Sequence, residues 1–201
     1  MMSMSRKAFW TLGLLMLAAC ASAPPALIVL PPAPQPAASG TQDAAVAPTI
    51  LLRHVSVPGH LDGFPVGTGR RGETLLVAPD AEWAERLSDA AARVLRDALS
   101  QRLGAERMLI AGDGRIPDAD LTIEFLALDP VDGRLALDAR WSFVAATGER
   151  SGHSGRTALD VPLASAQAPA VAAATAQALG EFAAILAREA ATLYPRGGPS
   201  P

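Results

Sequence analysis

A single cysteine, Cys20, is the residue of this 201-residue chain whose surroundings most clearly indicate chemistry. It follows Leu17-Ala18-Ala19, and the stretch before it contains a basic pair, Arg6-Lys7, and an apolar run from Ala8 to Met16. A basic segment, a short apolar segment and small residues at a cleavage site are typical of a secretory signal peptide. A cysteine directly after the small residues completes a bacterial lipobox, in which the thiol becomes a thioether to diacylglycerol. We therefore predict that Cys20 is lipidated after cleavage of residues 1–19.

Two alternatives stay open for this segment: an ordinary secretory signal with a coincidental cysteine, and an uncleaved membrane anchor. The apolar run is short for a membrane-spanning helix, which needs about 20 apolar residues. Ala21, which follows the cysteine, is not the Asp that retains lipoproteins in the inner membrane of enteric-type bacteria. We therefore expect an anchor in the outer membrane, on its periplasmic face.

Composition excludes several other functions. The whole chain has a formal net charge of -3 and a pI near 5.6, which offers no basic surface for nucleic acid. Without its first 19 residues the chain has 15 Arg, no Lys and 20 acidic residues, a net charge of -5. One cysteine excludes an intramolecular disulfide and a CxxC metal site, and His54, His60 and His153 are widely separated. We predict no metal, and no cofactor apart from the covalent diacylglycerol and acyl chains on Cys20.

The segment Gly67-Thr68-Gly69-Arg70-Arg71-Gly72 matches the pattern GxGxxG. Such glycines bind a dinucleotide when they join a strand to the N-terminus of a helix. Here the strand-like residues 73–77 follow, and the next predicted helix begins only after Pro79. We therefore predict a flexible loop between strands and no nucleotide site.

The segment Gly152-His153-Ser154-Gly155-Arg156 is similar to the GxSxG nucleophile elbow of hydrolases, but Arg replaces the last Gly. The elbow joins a strand to a helix, whereas this segment lies between two predicted strands. A hydrolase of this type would also need a later His as base, and none follows His153. Because the carboxylates Asp80, Glu82 and Glu85 crowd a predicted helix start, where the helix dipole favours acidic residues, we predict no catalytic residue.

Two amphipathic helices are predicted from apolar residues that recur at spacings of three and four. The first spans residues 81–103, with Asp80 as its N-cap and Gly104 at its end. The second runs from Pro169 to about Tyr194 and has Pro in its first turn. Charged residues interrupt the second helix too often for a membrane span.

Alternation of apolar and polar residues predicts the strands. The clearest two begin at Leu121 and Leu135 and are joined by a turn at Asp132-Gly133. Other strands are predicted at residues 26–30, 49–57, 73–77, 107–110 and 156–161. Trp83 and Trp141 lie on apolar stripes, so we expect both to pack in the core and not to stack on a ligand. The predicted fold class is α+β: a single mostly antiparallel or mixed sheet with two amphipathic helices on one face.

The domain organisation follows from these segments. Residues 1–19 are the predicted signal peptide, and residues 20–48 comprise the lipidated N-terminus, a short strand and a Pro/Ala-rich linker that begins at Pro31. Residues 49–195 form the predicted domain, and residues 196–201 are a predicted disordered tail.

Five segments, in order, carry a resemblance to a known family. They are the strand ending in Leu-Pro (ALIVLPPAP), the strand leading into VSVPGHLDGFPV, the segment LLVAPDAEWAERLSDAAARVLRDALSQRLG, the strands LTIEFLALDPVDGRLALDARWSF and the Ala-rich closing helix. In these segments the chain resembles the ABC-type transport auxiliary lipoproteins, the family of paraquat-inducible protein C, over essentially the whole chain after Cys20. Leu27-Ile28-Val29 departs from the aromatic residues typical of the family's first strand, and Arg70-Arg71-Gly72 makes the following loop glycine-rich.

The resemblance implies a periplasmic lipoprotein of the outer membrane that works with a mammalian-cell-entry (MCE) protein, whose tunnel carries phospholipids across the envelope. It implies a non-enzymatic accessory subunit that docks the tunnel and its membrane-embedded transport partners to the membrane, maintains envelope integrity and forms a homo-oligomer. An alternative of a different class is a free-standing envelope lipoprotein with a structural, peptidoglycan-binding or protein-binding role.

Overall fold

Two sheets and two helices make up the fold in the computed structural model, which describes residues 23–35, 47–146 and 152–193. The predicted signal peptide, Cys20 and the predicted tail lie outside these ranges. The elements are strands β1 (Ala26–Ile28), β2 (Ile50–Ser56), β3 (Pro65–Arg71), β4 (Thr74–Trp83), β5 (Met108–Leu109), β6 (Ala119–Val131), β7 (Arg134–Ala145) and β8 (His153–Pro162), and helices α1 (Leu87–Leu103) and α2 (Ala168–Leu193).

The larger sheet has the strand order β5-β2-β6-β7-β8. Strands β5, β2 and β6 are parallel, whereas β6, β7 and β8 form an antiparallel meander. The meander follows from the sequence because Asp132 and Gly133 both adopt positive φ, 49° and 74°, as a two-residue hairpin turn requires. The hairpin predicted between Leu121 and Phe143 is confirmed.

A smaller sheet of order β1-β4-β3 lies beside it, with β1 parallel and β3 antiparallel to β4. The α+β class with two helices is therefore confirmed, while the expectation of one sheet is wrong. The sheet divides because β4 pairs with β1 and β3 and with no described strand of the meander.

Helix α1 begins later than predicted. Strand β4 continues through Trp83, so residues 81–83 are extended and the helix starts at Leu87 after Arg86, whose side chain makes no capping hydrogen bond. Asp80 lies within β4 and is not an N-cap. The end of the helix at Gly104 is confirmed, and its φ of 105° is readily accessible only to glycine.

The core lies between the helices and the apolar faces of the two sheets. Inward-facing residues of β6 and β7 meet α2, and the rings of Phe125 and Phe182 pack edge to face at 5.9 Å. By length and composition alone α2 could cross a membrane, but 67% of its most apolar stretch is buried within the domain. Its apolar surface is therefore accounted for by packing in the core.

Candidate functional site

The described chain nearest to the predicted lipidation site is a short segment that we call the N-terminal strap, residues 26–33. Strand β1 begins the strap and pairs with the end of β4. The N–H of Ala84 donates to the carbonyl of Ile28 at 2.9 Å, and the Arg93 guanidinium of α1 donates to the carbonyl of Leu30 at 3.1 Å. These hydrogen bonds attach the strap to the domain from both sides.

The strap is also packed. Leu30 and Ala33 are buried, and the strap approaches α2 at a glycine. A Cβ placed on Gly180 would lie 3.0 Å from the Cβ of Ala33, so the close approach depends on the missing side chain. The predicted linker, which was expected to begin at Pro31, therefore begins no earlier than the residue after Ala33. Residues 36–46 of that linker lie outside the described ranges.

Exposed apolar side chains lie in the N-terminal strap and in β4. Because β1 and β4 are parallel, the residues before Ala26 run toward the Val77 end of β4. Leu27, Val29 and Val77 are all large apolar residues with exposed side chains. A groove of about 480 Å³ opens beside Val77; among its lining residues are Ala26, Ile28, Val77, Pro79, Ala168 and Pro169.

The outer face of the larger sheet, opposite the helices, is charged. Ion pairs join neighbouring strands across this face: Arg53–Asp120 at 2.9 Å, Arg140–Glu124 at 3.7 Å, Arg156–Asp138 at 2.8 Å and Arg134–Asp160 at 4.0 Å. Among the ion pairs between the antiparallel strands, Arg156–Asp138 has the shortest distance. The hydrogen bond from Arg156 lowers the pKa of Asp138, and the same bond raises the pKa of Arg156.

The residues of the hydrolase-like segment are not assembled into a catalytic pair. His153 and Ser154 are neighbours on β8, so their side chains point to opposite faces of the sheet. His153 faces inward, 3.0 Å from the Glu189 carboxylate of α2 and beside the Trp141 ring, whereas Ser154 is exposed. The nucleophile and base of an esterase must instead be within hydrogen-bonding reach.

The GxGxxG segment forms one strand of a hairpin. Gly67 and Gly69 lie in β3, and Gly72, with a φ of 57°, turns the chain back into the antiparallel strand β4. The expectation of a flexible loop is wrong, because β4 supplies backbone partners for this segment. No helix N-terminus follows the glycines, so the arrangement that holds a pyrophosphate is not formed.

Sequence reasoning missed a buried ion pair between the two sheets. The Asp129 carboxylate is 2% exposed and accepts a hydrogen bond from Nε of Arg70 at 2.7 Å. Arg70 also lies 3.0 Å from Nε2 of His60. The signal in the sequence is an acidic residue in the otherwise apolar run Phe125–Val131.

The remaining candidate residues lie in different parts of the fold and do not form a common site. Trp83 and Trp141 are buried in the core, as predicted. The acidic residues Asp80 and Glu82 belong to β4, and Glu85 pairs with Arg93. In the described part of the chain no group of three or more His, Cys, Asp and Glu side chains comes together.

Comparison with known proteins decides the family. The model of the family described as "ABC-type transport auxiliary lipoprotein component" matches residues 29–187. The chain belongs to this family. The matched range begins within the N-terminal strap, directly after β1, and ends in α2, so it contains all the other strands, α1 and most of α2. Family membership implies a membrane-anchored location in the cell envelope and association with an ABC-type transport system.

Two solved structures share the fold of this family member. One, described as an uncharacterized protein, is 18% identical with a TM-score of 0.66, covering 83% of this chain and 99% of its own. The other, a protein from Xanthomonas campestris assigned to the DUF330 family, is 19% identical with a TM-score of 0.58, covering 85% of this chain and 94% of its own. No match was found among curated proteins.

Proposed function

We propose that this protein is a lipoprotein attached through Cys20 to the periplasmic face of the outer membrane, where it serves as a non-catalytic accessory subunit of an MCE/ABC-type system. That system would move phospholipids between the membranes and maintain envelope integrity. The observation that carries the proposal is the packed N-terminal strap of a member of the transport auxiliary lipoprotein family. It brings the chain from Cys20 directly into the domain.

The short distance along the chain limits where the domain lies. Five residues separate Cys20 from Ala26, where β1 begins. A fully extended chain of this length, with six steps from Cα to Cα, spans about 20 Å. A lipid on Cys20 therefore holds the domain close to the bilayer, which suits a subunit that docks a partner at the membrane surface.

The exposed surface of the N-terminal strap also supports placing this part of the domain at the bilayer. Leu27 and Val29, in the N-terminal strap, are 66% and 62% exposed. Apolar side chains near a lipid anchor add contact area with the headgroup and acyl boundary. A lipoprotein cysteine carries two or three acyl chains, which suffices for stable attachment.

The positions of the two motifs that resemble enzyme sites support a non-catalytic role. His153 and Ser154 face opposite sides of β8, and Gly67 and Gly69 lie in a strand of a hairpin. Both motifs are therefore parts of paired strands, and neither has the geometry of the enzyme site that it resembles. An accessory subunit needs a docking surface for its partner and a membrane attachment, which a lipid on Cys20 would supply.

The first experiment tests the anchor. Cys20→Ser should abolish palmitate labelling and release the protein into the soluble periplasmic fraction, because no other cysteine can accept the lipid. Ser22→Ala is the matched control, since it alters a neighbouring residue and leaves Leu17–Cys20 intact. Equal membrane attachment of the Cys20→Ser protein would disprove lipid anchoring at this position.

The second experiment tests the partnership. An affinity-tagged full-length protein is crosslinked in intact cells and purified from detergent-solubilised envelopes. We expect an MCE protein and its ABC permease to co-purify, and the Cys20→Ser protein to recover less of both. Failure to recover either protein under crosslinking would overturn the transport role. Recovery of peptidoglycan fragments in its place would establish a free-standing envelope lipoprotein.

A further inference from the structure

We propose that the groove between the small sheet and the start of α2 holds one acyl chain of a phospholipid from the adjoining membrane. The rest of that lipid would stay in the bilayer, so the contact would seat the domain against the membrane surface. This inference rests on the proposed function, because a lipid on Cys20 is what brings the groove to the bilayer. It goes further by assigning a lipid site to the folded domain itself.

The groove is a part of the core-facing surface of the small sheet that α2 leaves uncovered. Ala26 of β1 lies directly opposite Ala81 of β4, so the two side chains point to the same face of the sheet. Ala81 is buried in the core, whereas Ala26 is exposed. The start of α2 contributes Ala168 and Pro169 to the same lining. An apolar surface therefore continues from the core into a groove that is open to solvent.

The lining of the groove suits a hydrocarbon chain. It consists mainly of Ala, Pro, Val and Ile, and the exceptions are Thr68, Asp80 and Gln167. Its volume of about 480 Å³ lies within the range of ligand pockets, about 300–1,000 Å³, which are lined mostly by apolar groups. Among the described residues, none that lines the groove is cationic, so the lining offers no partner for a phosphate. The expected ligand is therefore the acyl chain of a lipid and not its headgroup.

The position of the groove selects the bilayer as the source of that chain. Ala26 lines the groove, and a chain of five residues, about 20 Å at most, separates it from Cys20. This chain approaches Ala26 from the Val77 end of β4, and Val77 is itself part of the lining. A domain held by a lipid on Cys20 therefore has the groove within reach of membrane lipids.

An apolar peptide would find few hydrogen-bonding partners beside this groove. Peptides that bind at a sheet edge add a strand and rely on a row of backbone groups. Strand β1 forms the edge of the small sheet but has only three residues. Pro24 and Pro25, which precede it, have no N–H to donate. A hydrocarbon chain needs no such partners, so the short edge does not weaken its binding.

Photocrosslinking from the lipid tests the groove in the anchored protein. The lipidated protein is purified from envelopes and placed in nanodiscs that contain phosphatidylethanolamine with a diazirine at the end of one acyl chain. After illumination, mass spectrometry should find adducts on peptides that contain residues 77–81 and 166–169. Phosphatidylglycerol with the same modified chain should give the same yield, because the lining has no partner for the phosphate. A yield that depends on the headgroup would overturn the proposal.

Two pairs of variants test whether the chain lies in the groove. Ala166→Trp places an indole in the lining, whereas Ala164→Trp adds the same side chain at an exposed position outside it. Val77→Arg places a charge in the groove, and Val144→Arg does so at another exposed valine. Ala166→Trp and Val77→Arg should lower the adduct yield by a factor of about four for each methylene that they exclude. The two control variants should leave the yield unchanged.

The failure of this inference can be distinguished from failure of the proposed function. A protein that does not enter nanodiscs would contradict anchoring through Cys20, and the lipid site would be overturned with it. The lipid site alone would be overturned by an anchored protein whose adducts are confined to other surfaces. Adducts that neither Ala166→Trp nor Val77→Arg reduces would have the same consequence, provided that circular dichroism shows both variants folded.

Two further crosslinks would assign the groove to another occupant and overturn the proposal. One is a crosslink between the Cys20 peptide and residues 166–169 when Cys20 carries photoreactive acyl chains and the nanodisc lipids are unmodified. That result would show that the protein's own lipid fills the groove. The other is a crosslink to a second protein in intact cells from a photoreactive amino acid in place of Ala166. That result would show that a partner protein fills it.

Discussion

At the scale of single residues, Gly155 shows how packing can produce a motif that resembles a catalytic one. Trp141 lies opposite Gly155 on the neighbouring strand, and a Cβ at position 155 would overlap its indole ring. The Nε1–H of Trp141 donates to Oγ1 of Thr157 at 3.1 Å, which fixes the ring across β8. The glycine of the hydrolase-like segment is therefore required by a tryptophan and not by a nucleophile.

Gly155→Ala should consequently destabilise the fold by about 1–3 kcal/mol, the usual cost of overpacking. The measurement is urea denaturation followed by far-ultraviolet circular dichroism. Ser154→Ala, next to it and exposed, is the control and should change stability by less than about 0.5 kcal/mol. Trp141→Phe in the Gly155→Ala background should recover part of the loss, because the smaller ring leaves room for the methyl group. A Gly155→Ala protein as stable as the Ser154→Ala protein would contradict this packing role.

At the scale of secondary structure, the sequence predicted elements whose determinants are local. The β6–β7 hairpin was predicted because its alternation and its Asp132-Gly133 turn lie side by side in the chain. The start of α1 could not be predicted in this way, because residues 81–83 are held in an extended conformation by β1, which lies 55 residues away in sequence. The glycines of β3 predict a loop because glycine has low strand propensity, and only the pairing with β4 makes this segment a strand. Its Arg70 then meets Asp129, a contact no local pattern reveals.

That contact predicts an unequal effect of two arginine substitutions. Arg70→Ala leaves the 2% exposed Asp129 carboxylate without this partner, so we expect a loss of about 2–4 kcal/mol in the free energy of unfolding. Arg140→Ala removes an exposed pair with Glu124 and should cost less than about 1 kcal/mol. Adding Asp129→Asn to Arg70→Ala should restore part of the stability, because the buried charge is gone. Equal losses for the two arginine variants in denaturant titrations would show that Asp129 does not depend on Arg70.

At the scale of the whole molecule, the position of the N-terminal strap changes the reach of the domain. The sequence indicated a Pro/Ala-rich segment after residue 31 that could have carried the domain away from the membrane. The strap pairs with β4, buries Leu30 and Ala33, and enters the domain before that segment begins. Burial of a short apolar segment by distant partners is not visible in local composition. With a lipid on Cys20, as we propose, the chain between Cys20 and Ala26 would set the distance from the domain to the bilayer.

Insertions of equal length on the two sides of the strap should have different effects in the lipidated protein. Twelve Gly/Ser residues placed between Ser22 and Ala23 lengthen the tether from five residues to seventeen, and its average span from about 12 Å to about 23 Å. Neutron reflectometry on a supported bilayer should show the protein layer moving outward by about 10 Å. The same twelve residues between Ala38 and Ser39 should leave the layer in place, because the chain is anchored to the domain at Ala33 before that point and at Ile50 after it. If the second insertion moved the layer as far as the first, the strap would have to detach from β4 at the membrane, and the short tether would no longer hold the domain there.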